Sequence, residues 1–270
     1  MFKSGISIII PILFAAAGGL FPVLAGTLNI ALEGLLLAGA FSSLAVYYIT
    51  GSVTAAIITA VIASTALSAL HAFAFFKLRA NLYISALAVN LFSAGLCVVL
   101  SDKLFHTRGV IVAESAQGLQ KWYIITGVFI LAAAWLAINK TPFGYRLRAC
   151  EKNSEALISL GINPQVYQTA AIMISGFFCG LGGSFLSLNL GAFVPGMSAG
   201  KGWIALAVIF LGGRKPIGVL AAAFLFSLAE LLSNYAQGIM SIPADFLLAF
   251  PYFTTLIAMI LISVFPRRDS

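Results

Sequence analysis

Asn29 and Glu33 stand one helical turn apart in TLNIALEGLLLAGA (residues 27–40), an otherwise apolar segment. Asn90, Asn189, Glu230 and Asn234 are the other amide and carboxylate groups placed in or near apolar runs. An ionisable group inside a membrane span is expensive and faces a cavity or a partner. Such residues can hydrogen-bond a polar solute or brace a helix end. They do not form the relay of several ionisable groups that proton-driven transport requires. Glu33 therefore has two readings, structural and path-lining. A structural role is favoured for Glu230.

Reaction chemistry has little support. The phosphate-binding pattern GxxxxGK[ST] is absent, since LGGRKPIG has neither its spacing nor the following Ser or Thr. HExxH is absent too. His71 and His106 are isolated, and Cys97, Cys150 and Cys179 form no CxxC pair. The cysteines read as small apolar filler. No nucleophile stands beside a base, so an enzyme is not expected and no cofactor is expected on this chain.

The elements that must position these residues are membrane helices. Of 270 residues, 61% are hydrophobic and 9% charged. A core in a chain of this length cannot absorb that much apolar surface, so the excess faces lipid. The apolar runs are continuous and about 20 residues long, which indicates spanning helices rather than alternating barrel strands. The class is an all-α polytopic membrane protein of about 8–10 transmembrane helices. Spans are predicted near 5–25, 28–49, 53–76, 81–100, 121–139, 165–188, 217–236 and 246–265. Lys3 before an apolar run imitates a signal peptide, but further spans follow and the run reads as the first of them. A shorter piece near 203–212 reaches about half a bilayer and is expected to be short or re-entrant.

The net charge of +7 comes from Lys and Arg in short gaps. Lys77 and Arg79, then Lys140, Arg146, Arg148 and Lys152, then Arg214 and Lys215, and finally Arg267 and Arg268 mark the cytoplasmic side. Residues 101–120, 190–202 and 238–245 then lie outside. With the short piece counted as a crossing, the chain makes about nine passages, N-terminus out and C-terminus in. If it is re-entrant, one end flips. This distribution favours a lipid environment over nucleic acid.

Residues 30–39, IALEGLLLAG, are similar to residues 204–213, IALAVIFLGG, and the predicted topology runs them in opposite directions. An inverted repeat places a substrate path at its interface; chance likeness between apolar segments is the alternative. In ISGFFCGLGG (residues 174–183), Gly176 and Gly180 have GxxxG spacing, read as close packing within the chain rather than as a dimer interface.

The segment YRLRACEKNSEALISLGINPQ (residues 145–165) is too polar to span. Asn153 or Ser154 can cap a helix there. Glu155 falls in its first turn, where the dipole favours a negative charge. Gly161 can close it and Pro164 stops it. A helix of roughly two turns results, with Leu157, Ile158 and Leu160 giving it an apolar side that needs either the membrane surface or another protein.

EALISLG (residues 155–161) resembles the EAA loop of ATP-binding-cassette importer permeases: Glu155, Ala156 and Gly161 match, and Leu157 replaces the second Ala. RACEKNSEALISLGI, NIALEGLLLAGAF (residues 29–41) and FVPGMSAGKGWIALAVIFLGGRKPIG (residues 193–218) resemble the branched-chain amino acid, ribose and nucleoside permease superfamily. The nucleoside-type members associated with basic membrane lipoproteins are the most similar, followed by those for simple sugars. The resemblance covers nearly the whole chain. It implies a single permease domain over 1–270 with a cytoplasmic coupling loop over 145–164, in a bacterial inner membrane. It implies that Asn153, Glu155, Ala156, Leu157 and Gly161 meet an ATPase subunit, which carries the ATP. It implies a second permease, similar or identical, and an external solute-binding lipoprotein as further partners. It places Gly202 and Trp203 at an external gate and Asn29, Glu33 and Asn90 beside the path. The function implied is ATP-driven alternating access for a nucleoside, with a simple sugar or a vitamin such as riboflavin as alternatives. An ion-gradient transporter is the rival mechanism. Lys201, near a helix start, is expected to contact the receptor or an anionic group.

Overall fold

A computed structural model describes residues 2–113 and 119–237. The predicted span at 246–265 lies outside the described residues. Among the described residues ten helices follow in order: α1 (Phe2–Leu24), α2 (Leu32–Thr50), α3 (Val53–Phe76), α4 (Leu82–Phe105), α5 (Leu119–Lys140), α6 (Pro142–Lys152), α7 (Ser154–Ser159), α8 (Pro164–Leu190), α9 (Lys201–Leu211) and α10 (Pro216–Gln237). Six are long and apolar enough to cross a membrane, or seven if α5 and α6, bent by 64°, count as one broken span. The helix class agrees with the sequence.

At the centre lies α8, against α1, α2 and α3. Its small residues explain why. A Cβ added to Gly176 would lie 2.5 Å from Ser68 Cβ. One added to Gly180 would lie 2.6 Å from Val61 Cα, and one on Gly183 would lie 2.3 Å from the Leu36 carbonyl. The GxxxG face is therefore used within the chain, as small residues let helix backbones approach. Serines add cross-helix bonds: Ser64 donates to the Leu35 carbonyl (2.8 Å) and Ser43 pairs with Ser187 (2.7 Å).

These contacts fix direction. Asn29 meets Ser175 and Ser43 meets Ser187, so α2 runs parallel to α8. Gly176 meets α3 near Ser64 and Ser68, and Gly180 meets it near Ala60 and Val61, so α3 is antiparallel. On α1, Gly18 packs on Phe178 and Ser7 accepts from Asn189, which makes α1 antiparallel too. The alternation read from the basic gaps has the same sense. Two of the loops assigned to the outside also meet: Ile111 pairs with Phe193 and Val112 with Ala192 in a two-residue antiparallel bridge.

One boundary differs from the sequence reading. The predicted span 28–49 starts as a helix only at Leu32. Residues 25–31 approach without helical structure, and Ala25, Thr27, Asn29 and Ala31 are buried. Gln168, near the start of α8, donates to the Ala25 carbonyl, and Asn29 reaches Ser175. Ser175 lies eleven residues into α8 from Pro164, about 16 Å at the helical rise. The segment thus climbs alongside α8, and α2 begins inside the apolar slab instead of at its cytoplasmic edge.

The side-by-side packing of α8 and α2 gives a direct test. Gly183→Val should push the two helices apart, at a cost of about 1–3 kcal/mol for overpacking. The expected result is a lower melting temperature in detergent. Gly95→Ala is the control, because an added Cβ there meets nothing within 4 Å.

Candidate functional site

The short helix α9 spans eleven residues, about 16 Å, and ends at the turn that carries Arg214. Like α2, it follows a non-helical approach, residues 191–200. The N-termini of α2 and α9 meet, and Glu33 joins them. Its Oε1 accepts the Gly200 N–H (2.9 Å) and its Oε2 accepts the Gly202 N–H (2.7 Å). The first N–H groups of a helix have no intrahelical partner and carry the positive end of the dipole, so a carboxylate suits them. Glu33 is also in the first turn of α2. One carboxylate faces two helix starts.

The contact demands glycine at one position. A Cβ on Gly202 would lie 2.3 Å from the Glu33 amide nitrogen and 2.5 Å from its Cα.

Asn90, on α4, completes the start of α2. Its Oδ1 accepts the Gly34 N–H (2.8 Å), and its Nδ2 donates to the Ile30 carbonyl (3.0 Å). Asn29 is not the N-cap, which is Ala31. Its Oδ1 accepts the Ala31 N–H (2.9 Å), and its Nδ2 donates to Ser175 Oγ (2.7 Å). It braces the approach turn because the helix starts later than its sequence suggests. Asn29, Glu33, Asn90 and Gly202 therefore form one cluster. Trp203 follows Gly202, but its side chain is 44% exposed and stands apart from these bonds.

Lys201, the first residue of α9, would be unfavourable at a helix N-terminus by itself. Its Nζ pairs with Glu230 Oε1 on α10 at 3.3 Å, with both side chains largely buried. The anionic group expected for Lys201 lies within the chain, and Glu230 has a structural partner.

The two similar sequence segments run in opposite directions from this junction, as an inverted repeat would. Their residues are out of step, however. Leu32, which opens α2, follows Ile30, while Lys201, which opens α9, precedes Ile204. The likeness belongs to the architecture rather than to matched positions.

A second cluster lies at the basic end. Thr141 accepts from Gly144 and caps α6, with Pro142 in its first turn. Gly144 allows the bend from α5: a Cβ there would fall 2.0 Å from the Ile138 carbonyl. Arg146 donates to the Tyr167 hydroxyl (2.7 Å) and holds α6 to α8. Cys150 is buried and donates to the Pro164 carbonyl; burial holds its thiol above the ordinary pKa. Asn153 caps α7, its Oδ1 accepting from Ala156 (3.0 Å). Gly161 has φ 74° and turns the chain toward Asn163, whose side chain caps α8. Leu157 is buried at 5% exposure, whereas Ile158 and Leu160 are 62% and 75% exposed, and Glu155 is exposed. The helix is six residues long, anchored by one leucine, with an acidic and apolar outer surface.

Sequence reasoning missed Ser175, Gly200 and the Glu151–Arg214 ion pair. No local pattern marks the first two. Glu230 as the partner of Lys201 was missed too, although the opposite charges of the two residues were an available signal.

The sequence comparisons agree with this architecture. A family model described as "Branched-chain amino acid transport system / permease component" matches residues 1–264. Among curated proteins, the chain is 31% identical to the nucleoside ABC transporter permease protein NupC of Lactococcus lactis, covering 96% of this chain and 92% of that one. It is 30% identical to the guanosine ABC transporter permease protein NupQ of Bacillus subtilis, covering 92% and 87%. A putative glucose ABC transporter permease protein of Haloferax volcanii, TsgC13, is 28% identical over 84% and 75%. Among solved structures, PsaBC from Streptococcus pneumoniae in complex with Fab has the same fold, with a TM-score of 0.60, 14% identity, and coverage of 95% and 89%. With its broken helices, its capped polar loop and a family match over nearly its whole length, the chain belongs to the branched-chain amino acid transport system permease family, as a multi-pass, non-catalytic membrane component of an ABC transporter.

Proposed function

We propose that the chain forms half of the path of a nucleoside importer in a bacterial cytoplasmic membrane. A second permease, similar or identical, forms the other half. ATPase subunits dock at α7, and an external lipoprotein delivers solute. The nucleoside assignment is supported by relatives named for nucleoside and guanosine transport over nearly their whole length.

The observation that carries the mechanical part is α7 itself. Asn153 caps it and Leu157 seats it, while Glu155, Ile158 and Leu160 remain outside. A helix held on one side, with exposed apolar residues on the other, fits insertion into a partner's cleft. Ala156 and Gly161 complete the loop: the first supplies the capped N–H and the second the left-handed turn. ATP binding and hydrolysis occur on the partner, and this chain supplies the moving helices. Asn29, Glu33, Asn90 and Gly202 form the broken-helix junction beside the path, with Trp203 at its outer gate.

Three measurements check this reading. Reconstituted with its ATPase and receptor, the permease should take up radiolabelled guanosine only with ATP. Uptake that persists without the ATPase and follows a proton or sodium gradient would overturn it. Glu155→Lys should leave membrane insertion intact and weaken ATPase co-purification about tenfold or more, a change worth roughly 1.4 kcal/mol. Unchanged co-purification would remove α7 from the interface. Glu33→Gln replaces one carboxylate oxygen with an NH₂ facing a backbone N–H. A hydrogen bond to a charged group contributes about 1.5–3 kcal/mol, so a lower melting temperature is expected, with transport per folded molecule retained. Lost transport at unchanged melting would assign Glu33 to solute contact instead.

A further inference from the structure

Two residues at the basic face each break a local rule, and they meet. Glu151 lies in the last turn of α6, where the helix dipole disfavours a carboxylate. Arg214 has φ 56°, a left-handed conformation that residues with a side chain rarely adopt. Arg214 Nη1 donates to Glu151 Oε1. The side chains are 46% and 33% exposed, and an ion pair this open contributes little to stability. Holding the fold together does not explain why both residues occupy unfavourable positions.

The surroundings suggest another use. Glu151 is two residues before Asn153, the cap of α7. It also covers Gly26, at the root of the approach to α2: a Cβ on Gly26 would lie 3.2 Å from Glu151 Cα. Arg214 closes the turn after α9. Its N–H bonds the Ile209 carbonyl (3.0 Å), and its guanidinium lies 5.5 Å from the centre of the Phe210 ring. The next residues are held as tightly, since a Cβ on Gly218 would lie 1.9 Å from the Gly212 carbonyl. Glu151 thus touches the roots of both segments whose far ends meet at Glu33.

We propose that Glu151 and Arg214 are positioning residues for transport: their ion pair transmits displacement of α7 to α9, and through α9 to the Glu33 junction. The proposal rests on the reading of α7 as the ATPase contact. Rigid α9, fixed by the Arg214 turn at one end and by Glu33 at the other, would move as a unit. A coupling claim requires a two-state element biased from both ends, and α9 is the element the test addresses.

The test uses the complete complex with its ATPase, in a Trp122→Phe, Trp135→Phe background that leaves Trp203 as this chain's reporter beside the junction, with the same complex carrying Trp203→Phe supplying the partners' emission for subtraction. ATP with vanadate is added and Trp203 emission is followed. Glu151→Gln and Arg214→Gln should retain the ATPase and hydrolyse ATP. Their emission response should fall at least about threefold, within the range by which residues between coupled sites alter coupling. The exchange Glu151→Arg with Arg214→Glu should restore it, as a double-mutant cycle requires of a direct pair. Wild-type responses in the single variants would overturn the proposal. So would loss of ATPase binding in them, or a loss that the exchange does not repair, because general distortion would then explain it. If Glu155→Lys leaves the wild-type response unchanged, the reading of α7 fails, and the proposal fails with it. If Glu155→Lys abolishes the response while the single variants keep it, only the proposal fails.

Discussion

The structure depends on a constraint set by the membrane: every backbone N–H inside it needs a protein partner. Two helices begin part-way along their packed neighbours, and their first N–H groups take protein partners. Glu33 resolves this for α9 through Gly200 and Gly202, and Asn90 resolves it at Gly34 of α2. The same geometry makes an acidic residue tolerable in an apolar chain. Two helix N-termini converge on Glu33, and each presents partial positive charge. The contact also dictates the absence of side chains. Gly202 lies against the Glu33 backbone, and a Cβ on Gly34 would lie 2.7 Å from Asn90 Cα.

The rest of the fold keeps that junction in place. Starting α2 part-way along α8 requires residues 25–31 to climb as partly buried, non-helical chain, with polar groups met from outside the segment. Gln168 serves the Ala25 carbonyl, Asn29 bonds Ser175, and Ser175 in turn donates to the Ile172 carbonyl. That chain of bonds is available only because α8 lies close enough, which its glycines permit. Lys201 is the local conflict the junction creates: a cation at a helix start. Glu230 offsets it from α10, so the last described helix is tied to the same point.

How far the sequence revealed this depends on the distance between partners along the chain. The α7 loop was legible because its contacts are local: the Asn153 side chain caps Ala156, three residues on, and Gly161 terminates the helix by its own backbone freedom. The long apolar helices were legible from composition. The late start of α2 was not, because ALEGLLLAG has good helix formers on both sides of the true boundary. What unwinds the preceding residues is Asn90, 56 residues from Gly34, together with Ser175, 146 from Asn29. Glu33 is a first-turn acid of α2, but its partners lie 167 and 169 residues away. No periodicity carries that information.

The two clusters are not independent places on the molecule. Glu151, at the end of α6 just before the α7 loop, and the Glu33 junction lie at opposite ends of the same two elements, α9 and the approach to α2. A helix of eleven residues, closed by a tight Gly212–Gly218 turn, cannot absorb a push at its base by bending. The approach segment is tied as well, to α8 through Gln168 and Ser175, to α4 through Asn90 and to the end of α1 through its own amides. In the proposed coupling, a displacement at the basic face appears where the N-termini meet. The groups there are arranged to be shifted: the Glu33 carboxylate bonds two N–H groups of one helix from the first turn of the other. Small relative motion of α2 and α9 exchanges hydrogen-bond geometry at one side chain without uncovering a backbone amide to lipid. A continuous pair of spans would offer no such point of adjustment.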